Sequence, residues 1–106
     1  MPARLNLAMF AALAAAILAA PSAAEARCGS AVTLYAAYWC PYCKKTERFF
    51  SDHGVRYERV EISDNPLAQR AMRTRFGTTA VPVVVVDGKH VVGFDERWLR
   101  RALCLR

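Results

Sequence analysis

The chain has 106 residues, 55% of them hydrophobic and 23% charged, with a formal net charge of +6 at pH 7. That length has room for one small domain and excludes a multidomain architecture. The cations are scattered (Arg48, Arg56, Arg59, Arg70, Arg73, Arg75) rather than clustered among aromatics, so the composition reads as a solvated basic surface and not as a nucleic-acid patch.

The first segment stands apart from the rest. Arg4 is followed by an apolar run from Leu5 to Ala20 and then by "PSAAEA", ending at Ala26. A cationic start, an apolar middle and a small-x-small finish are the parts of a cleavable signal peptide over residues 1–26. The run is short of the ~20 residues that a spanning helix needs, so no stable membrane insertion is expected after cleavage. Arg27 before Cys28 argues against lipidation. Residues 27–106 are then the folded domain, exported and expected in the periplasm. All four cysteines lie in that part, as suits an oxidising compartment.

Within the domain, "AVTLYAA" from Ala31 to Ala37 reads as a buried strand. Pro41 then opens a helix, since the first turn requires no N–H bond from it. That helix carries Cys43, Thr46, Phe49 and Phe50 along one face, and Gly54 supplies its stop. "VRYERVEI", Val55 to Ile62, is a second strand. "SDNP" starts a second helix, with Asp64 or Asn65 as cap and Pro66 at the first position, and it runs to Gly77. "VPVVVVDGKHVV" is a hairpin: Val83 to Val86, a turn at Asp87-Gly88, then His90 to Val92. Four successive valines imply a strand buried on both faces. Asp95 caps a last helix whose apolar face is Trp98, Leu99, Ala102 and Leu103. The order β-α-β-α-β-β-α gives an α/β domain. Its first two strands run parallel, with the hairpin antiparallel beside them and helices flanking one four-stranded mixed sheet.

In that architecture Cys40 falls where the first strand hands over to the first helix. Unpaired N–H groups and the positive end of the helix dipole point at it. Both favour the thiolate, which is the attacking species. Cys43 lies one turn further in, more buried, placed to resolve a mixed disulfide. Lys44 and Lys45 add positive charge nearby. A zinc site would need four ligands at ligand spacing, whereas Cys28, Cys104, His53 and His90 are isolated, so no metal is expected. A purely structural Cys40–Cys43 bridge would close a tiny loop and stabilise little. Redox chemistry is the remaining reading. Val81-Pro82 precedes the valine strand, and the residues alone leave its isomer open.

"CPYC" at Cys40 to Cys43, "AVP" at Ala80 to Pro82 and "GFD" at Gly93 to Asp95 resemble the glutaredoxin family of the thioredoxin superfamily, in its dithiol form. The resemblance runs from about Val32 to Leu103. It implies a thioredoxin-like fold and a thiol-disulfide oxidoreductase, with Cys40 as nucleophile and Cys43 as its partner. It also implies a cis Pro82 facing the thiols, and glutathione as co-substrate without any tightly bound cofactor. The implied glutathione contacts are Tyr42, Val81, Pro82, Gly93 and Asp95. The partners it implies are glutathione, disulfide-bearing proteins or both; nothing in the sequence demands more than a monomer, which is the expected state. The sequence departs from the family pattern at Ala37, where a lysine is common, at Ala80, at Val92 and at Trp39. Arg70 or Arg73 are candidate replacement cations. Readings from other classes are a thioredoxin-like reductase or isomerase that does not use glutathione, an iron–sulfur cluster carrier, and an adaptor gripping a partner's cysteine.

Cys28 lies just before the first strand, at the end of the sheet away from the thiol pair. From Asp95 to Cys104 the last helix carries the chain roughly 13 Å toward the same end, at 1.5 Å per residue. A Cys28–Cys104 disulfide is therefore expected there, closing a loop worth ~4 kcal/mol in the chain-entropy treatment.

Overall fold

The computed structural model describes residues 28–106; the signal peptide read over residues 1–26 and its boundary lie outside them. The elements are β1 (Val32–Ala36), α1 (Pro41–Asp52), β2 (Glu58–Glu61), α2 (Pro66–Phe76), β3 (Val83–Val86), β4 (Lys89–Val92) and α3 (Glu96–Ala102). The sheet order is β2-β1-β3-β4. β1 and β2 are parallel, so they need a crossover, which α1 supplies. β3 runs antiparallel to β1 and to β4. Among the described residues no helix is long and apolar enough to cross a membrane.

The two central strands carry the core. β1 buries Val32, Leu34 and Ala36 in alternation, and β3 buries all four of its valines. α1 lays Cys43, Thr46, Phe49 and Phe50 against them. The Thr46 hydroxyl, fully buried, donates to the Tyr42 carbonyl at 2.8 Å and so is not left unpaired. α2 is anchored by Met72, and α3 by Leu99, with Leu103 just beyond its end; Trp98 and Ala102 of the expected apolar face are half-buried.

Helix ends follow local chemistry. Of the two candidate caps for α2, Asn65 takes the role, accepting from the Ala68 N–H at 3.2 Å. Asp64 sits just before it in a left-handed conformation, φ 52°. Asp95 caps α3 by accepting from the Trp98 N–H at 2.9 Å. Asp87 and Gly88, φ 49° and 88°, are the two left-handed residues that a tight two-residue hairpin loop demands.

The second strand is shorter than the sequence suggests. Val55 to Tyr57 are not part of it, because the Val55 N–H donates back to the Phe50 carbonyl at 2.9 Å and closes off α1. The ladder with β1 opens only at Thr33 and Glu58.

At the end of the sheet away from α1's first turn, the Asp87 carboxylate accepts from the Gly29 N–H, the Ser30 hydroxyl and the Ala31 N–H at 2.8–2.9 Å. These bonds, that from Ala31 foremost, hold its carboxyl below the usual range. Beside them Cys28 and Cys104 are disulfide-bonded, Cα atoms 5.8 Å apart. Gly29 fits there because a Cβ would come within 2.9 Å of the Leu103 side chain.

Candidate functional site

A turn links β1 to α1. The Cys40 N–H donates to the Ala37 carbonyl at 3.1 Å, closing Ala37–Cys40, and Pro41 then starts the helix. Cys40 is the helix cap. Its sulfur accepts from the Cys43 N–H at 3.1 Å, so one of the helix's free amides points at the thiol. The sulfur also lies 3.8 Å from the Val81 carbonyl, toward which its S–H is directed. Both thiols are free, with Cys40 4% and Cys43 0% exposed. A side chain with a cysteine's reach at the cap and another in the first turn places two sulfurs together on one edge of the fold.

The two thiols have different environments. Burial first, and then the hydrogen bond with Cys40, push the Cys43 thiol up to about 12. The Ala37 backbone and the Arg59 charge pull the other way but do not offset burial. Cys43 therefore stays protonated at neutral pH.

The other residues singled out in the sequence gather on one rim. The Val81–Pro82 peptide is cis, beside Cys40. The Pro82 carbonyl accepts from the Gly93 N–H at 2.7 Å, which brings the Gly93–Asp95 segment alongside. Lys45 places its ammonium over the Phe94 ring at 5.2 Å and the Tyr42 ring at 6.0 Å, so these rings share one cation. Tyr38, Trp39 and Tyr42 project into solvent, 65%, 61% and 61% exposed. Ala37 is buried, 1% exposed, with no cation at that position. Cys28 and Cys104 belong elsewhere. Cys28 lines a cavity of about 370 Å³ together with Leu103 and with His53, which caps the opposite end of α1 from Cys40.

One set of residues was not legible. Arg59 reads in the sequence as one more scattered cation, but it is held between two carboxylates. Its Nε lies 3.2 Å from Glu47 and its Nη1 2.8 Å from Glu61. Tyr57 donates to Glu47 at 3.1 Å as well. The only sequence hints are Glu47 one turn beyond Cys43, and Arg59 and Glu61 on the same face of one strand. Among the described residues, no group of three or more His, Cys, Asp or Glu is placed to hold a metal ion.

Comparison with known proteins agrees with this arrangement. The Glutaredoxin family model matches residues 32–91. Glutaredoxin 3 of Escherichia coli (strain K12) is 32% identical over 65 residues, covering 61% of this chain and 78% of that relative. The crystal structure of the glutaredoxin from Archaeoglobus fulgidus superposes with a TM-score of 0.63 at 27% identity, over 79% of this chain and 95% of that one. That of the buckwheat glutaredoxin–glutathione complex superposes with a TM-score of 0.58 at 29% identity, over 69% of this chain and 72% of that one. The fold is thus thioredoxin-like. With the family model covering more than half of its length and the thiol pair at the head of α1, this chain belongs to the glutaredoxin family of thiol-disulfide oxidoreductases.

Proposed function

We propose that the protein reduces protein disulfides or glutathione mixed disulfides through Cys40 and Cys43. The observation that carries this is the Cys40 sulfur at a helix cap, accepting the Cys43 N–H at 3.1 Å beside the Val81 carbonyl. The Cys40 thiolate attacks one sulfur of the substrate disulfide, and the other sulfur leaves as a thiolate that takes up a proton. Cys43 then loses its proton and attacks the Cys40 sulfur, which releases the second product and forms the Cys40–Cys43 disulfide. Two thiols, such as two glutathiones, return the pair to the reduced state and leave as one disulfide.

Tyr42, Val81, Pro82, Gly93 and Asp95 form the glutathione subsite in this reading. It is supported by their common rim, and by a relative solved as a glutathione complex at 29% identity. Lys45, stacked on Tyr42 and Phe94, supplies a cation at that rim where Ala37 supplies none. The exposed Tyr38, Trp39 and Tyr42 favour a second substrate class, a protein disulfide whose flanking residues cover these rings. We read the protein as an exported, periplasmic monomer on its leader sequence, with Cys28–Cys104 as a structural staple. An iron–sulfur role would show as a visible absorbance band on the purified protein; a colourless protein is expected. The test of the main reading is turnover of a glutathione mixed disulfide by wild type and by Cys40→Ser. Turnover that vanishes in the variant is expected, and equal turnover in both would overturn the assignment of Cys40.

A further inference from the structure

The nucleophile's turn has an outside support. Glu61, the last residue of β2, uses its two carboxylate oxygens differently. Oε2 accepts from the Tyr38 N–H at 3.2 Å and from the Ser63 N–H at 3.1 Å. Oε1 accepts from Arg59 at 2.8 Å, and Arg59 in turn reaches Glu47 on α1. Tyr38 is the first central residue of the Ala37–Cys40 turn, whose closing bond is the Cys40 N–H itself. One side chain thus ties β2, α1 and the turn that aims Cys40. Hydrogen bonding from Ser63, then from Arg59, holds the Glu61 carboxyl down at about 2, so it remains an acceptor throughout the working pH range.

We propose that Glu61 is a positioning residue for the thiol chemistry: its grip on the Tyr38 N–H holds the Ala37–Cys40 turn in the conformation from which Cys40 attacks. The inference rests on Cys40 being the attacking thiol. Without the carboxylate, the Tyr38 N–H turns to water and the turn samples other conformations, while the core around β1 and β3 is untouched. The attack slows because the competent conformation is populated less, and substrate affinity at the rim does not change.

The two oxygens make the test separable. Glu61→Gln keeps a carbonyl oxygen for the Tyr38 and Ser63 amides and loses the Arg59 ion pair; Glu61→Ala loses both. Turnover of a glutathione mixed disulfide is measured for both, with Cys40→Ser as the reference for lost chemistry. Glu61→Ala is expected to lower kcat about fivefold at unchanged KM, the scale of one hydrogen bond, and Glu61→Gln to recover to within about twofold of wild type. Either a fully active Glu61→Ala, or a Glu61→Gln as slow as Glu61→Ala, would overturn the proposal. The second result would assign the effect to the ion pair. If Glu61→Ala does not fold, hydrogen exchange at Tyr38 in wild type and Glu61→Gln decides. Protection of about tenfold or more over an open amide is expected in both, and free exchange in wild type would overturn it. Wild type and Cys40→Ser turning over alike would instead refute the assignment of the nucleophile, a result distinct from each of these.

Discussion

Cys43 sits 0% exposed and its thiol is raised from an ordinary 9.0 to about 12. Below pH 9 it therefore holds about a thousandfold less thiolate than an ordinary cysteine, three decades for three pH units. A more basic thiolate is intrinsically more reactive, which at a Brønsted slope of 0.4–0.5 restores about 20-fold. The net deficit is about 50-fold before any steric block by the protein. The perturbation is alkylation of the reduced protein by iodoacetamide at neutral pH, followed by mass spectrometry. One adduct is expected, at Cys40. In Cys40→Ser, Cys43 should still lag an exposed model thiol, since burial, the largest cause of its shift, remains, but by less than that deficit because the Cys40 thiol no longer raises it. Two adducts forming at comparable rates would refute the reasoning. The same environment orders the reaction. Once Cys40 is bound in a mixed disulfide, it carries no charge and no longer shares a proton with Cys43. Two of the causes that raise Cys43 then vanish. The resolving thiol becomes easier to ionise at the stage when it must attack.

Further outcomes follow from the same geometry. The reduced protein should lose stability as pH rises from 9 toward 12, because the unfolded chain gives up the Cys43 proton first; the oxidised protein, with no thiol there to titrate, should lack this component in denaturant titrations at each pH. Phe50→Ala, at a fully buried site, should cost about 3–5 kcal/mol by urea unfolding, and a loss below 1 kcal/mol would contradict the core described. Replacing Cys28 and Cys104 together with alanine opens a sequence separation of 76 residues and should cost about 4.5 kcal/mol while Cys40 still labels alone; an unchanged unfolding midpoint would refute the staple. Asp95→Asn keeps a good helix cap but drops the charge, so stability should hold while KM for a glutathione mixed disulfide rises; a KM equal to wild type would remove Asp95 from the subsite.

The parts of the fold that were legible are those set by neighbours in sequence. Pro41 and Pro66 at helix starts, Asp95 at a cap and Asp87-Gly88 between valine strands each act through bonds a few residues long. The alternation in β1 and the four valines of β3 report burial directly. β2 was overextended because Val55 and Tyr57 have strand-like side chains, while the bond that excludes Val55, to Phe50, belongs to the helix before it. The thiol pair was legible because the cap, the proline and both cysteines lie within four residues. The Glu47–Arg59–Glu61 bridge was not, since it joins a helix to a strand and no spacing rule foretells which of many scattered arginines will find two carboxylates. Lys45 was legible as a charge near the thiols, but its seat over Phe94 was not, because that ring is on a distant segment.

The central claim is that Cys40 attacks and that glutathione is accepted at the rim of Val81, Pro82 and Asp95. The most direct measurement is steady-state turnover of a small glutathione mixed disulfide with excess glutathione, by wild type and Cys40→Ser. Turnover that saturates with the mixed disulfide and disappears in Cys40→Ser is the predicted result. No turnover by a wild type whose Cys40–Cys43 pair still cycles with dithiothreitol would contradict it, and would place the electron donor among proteins instead.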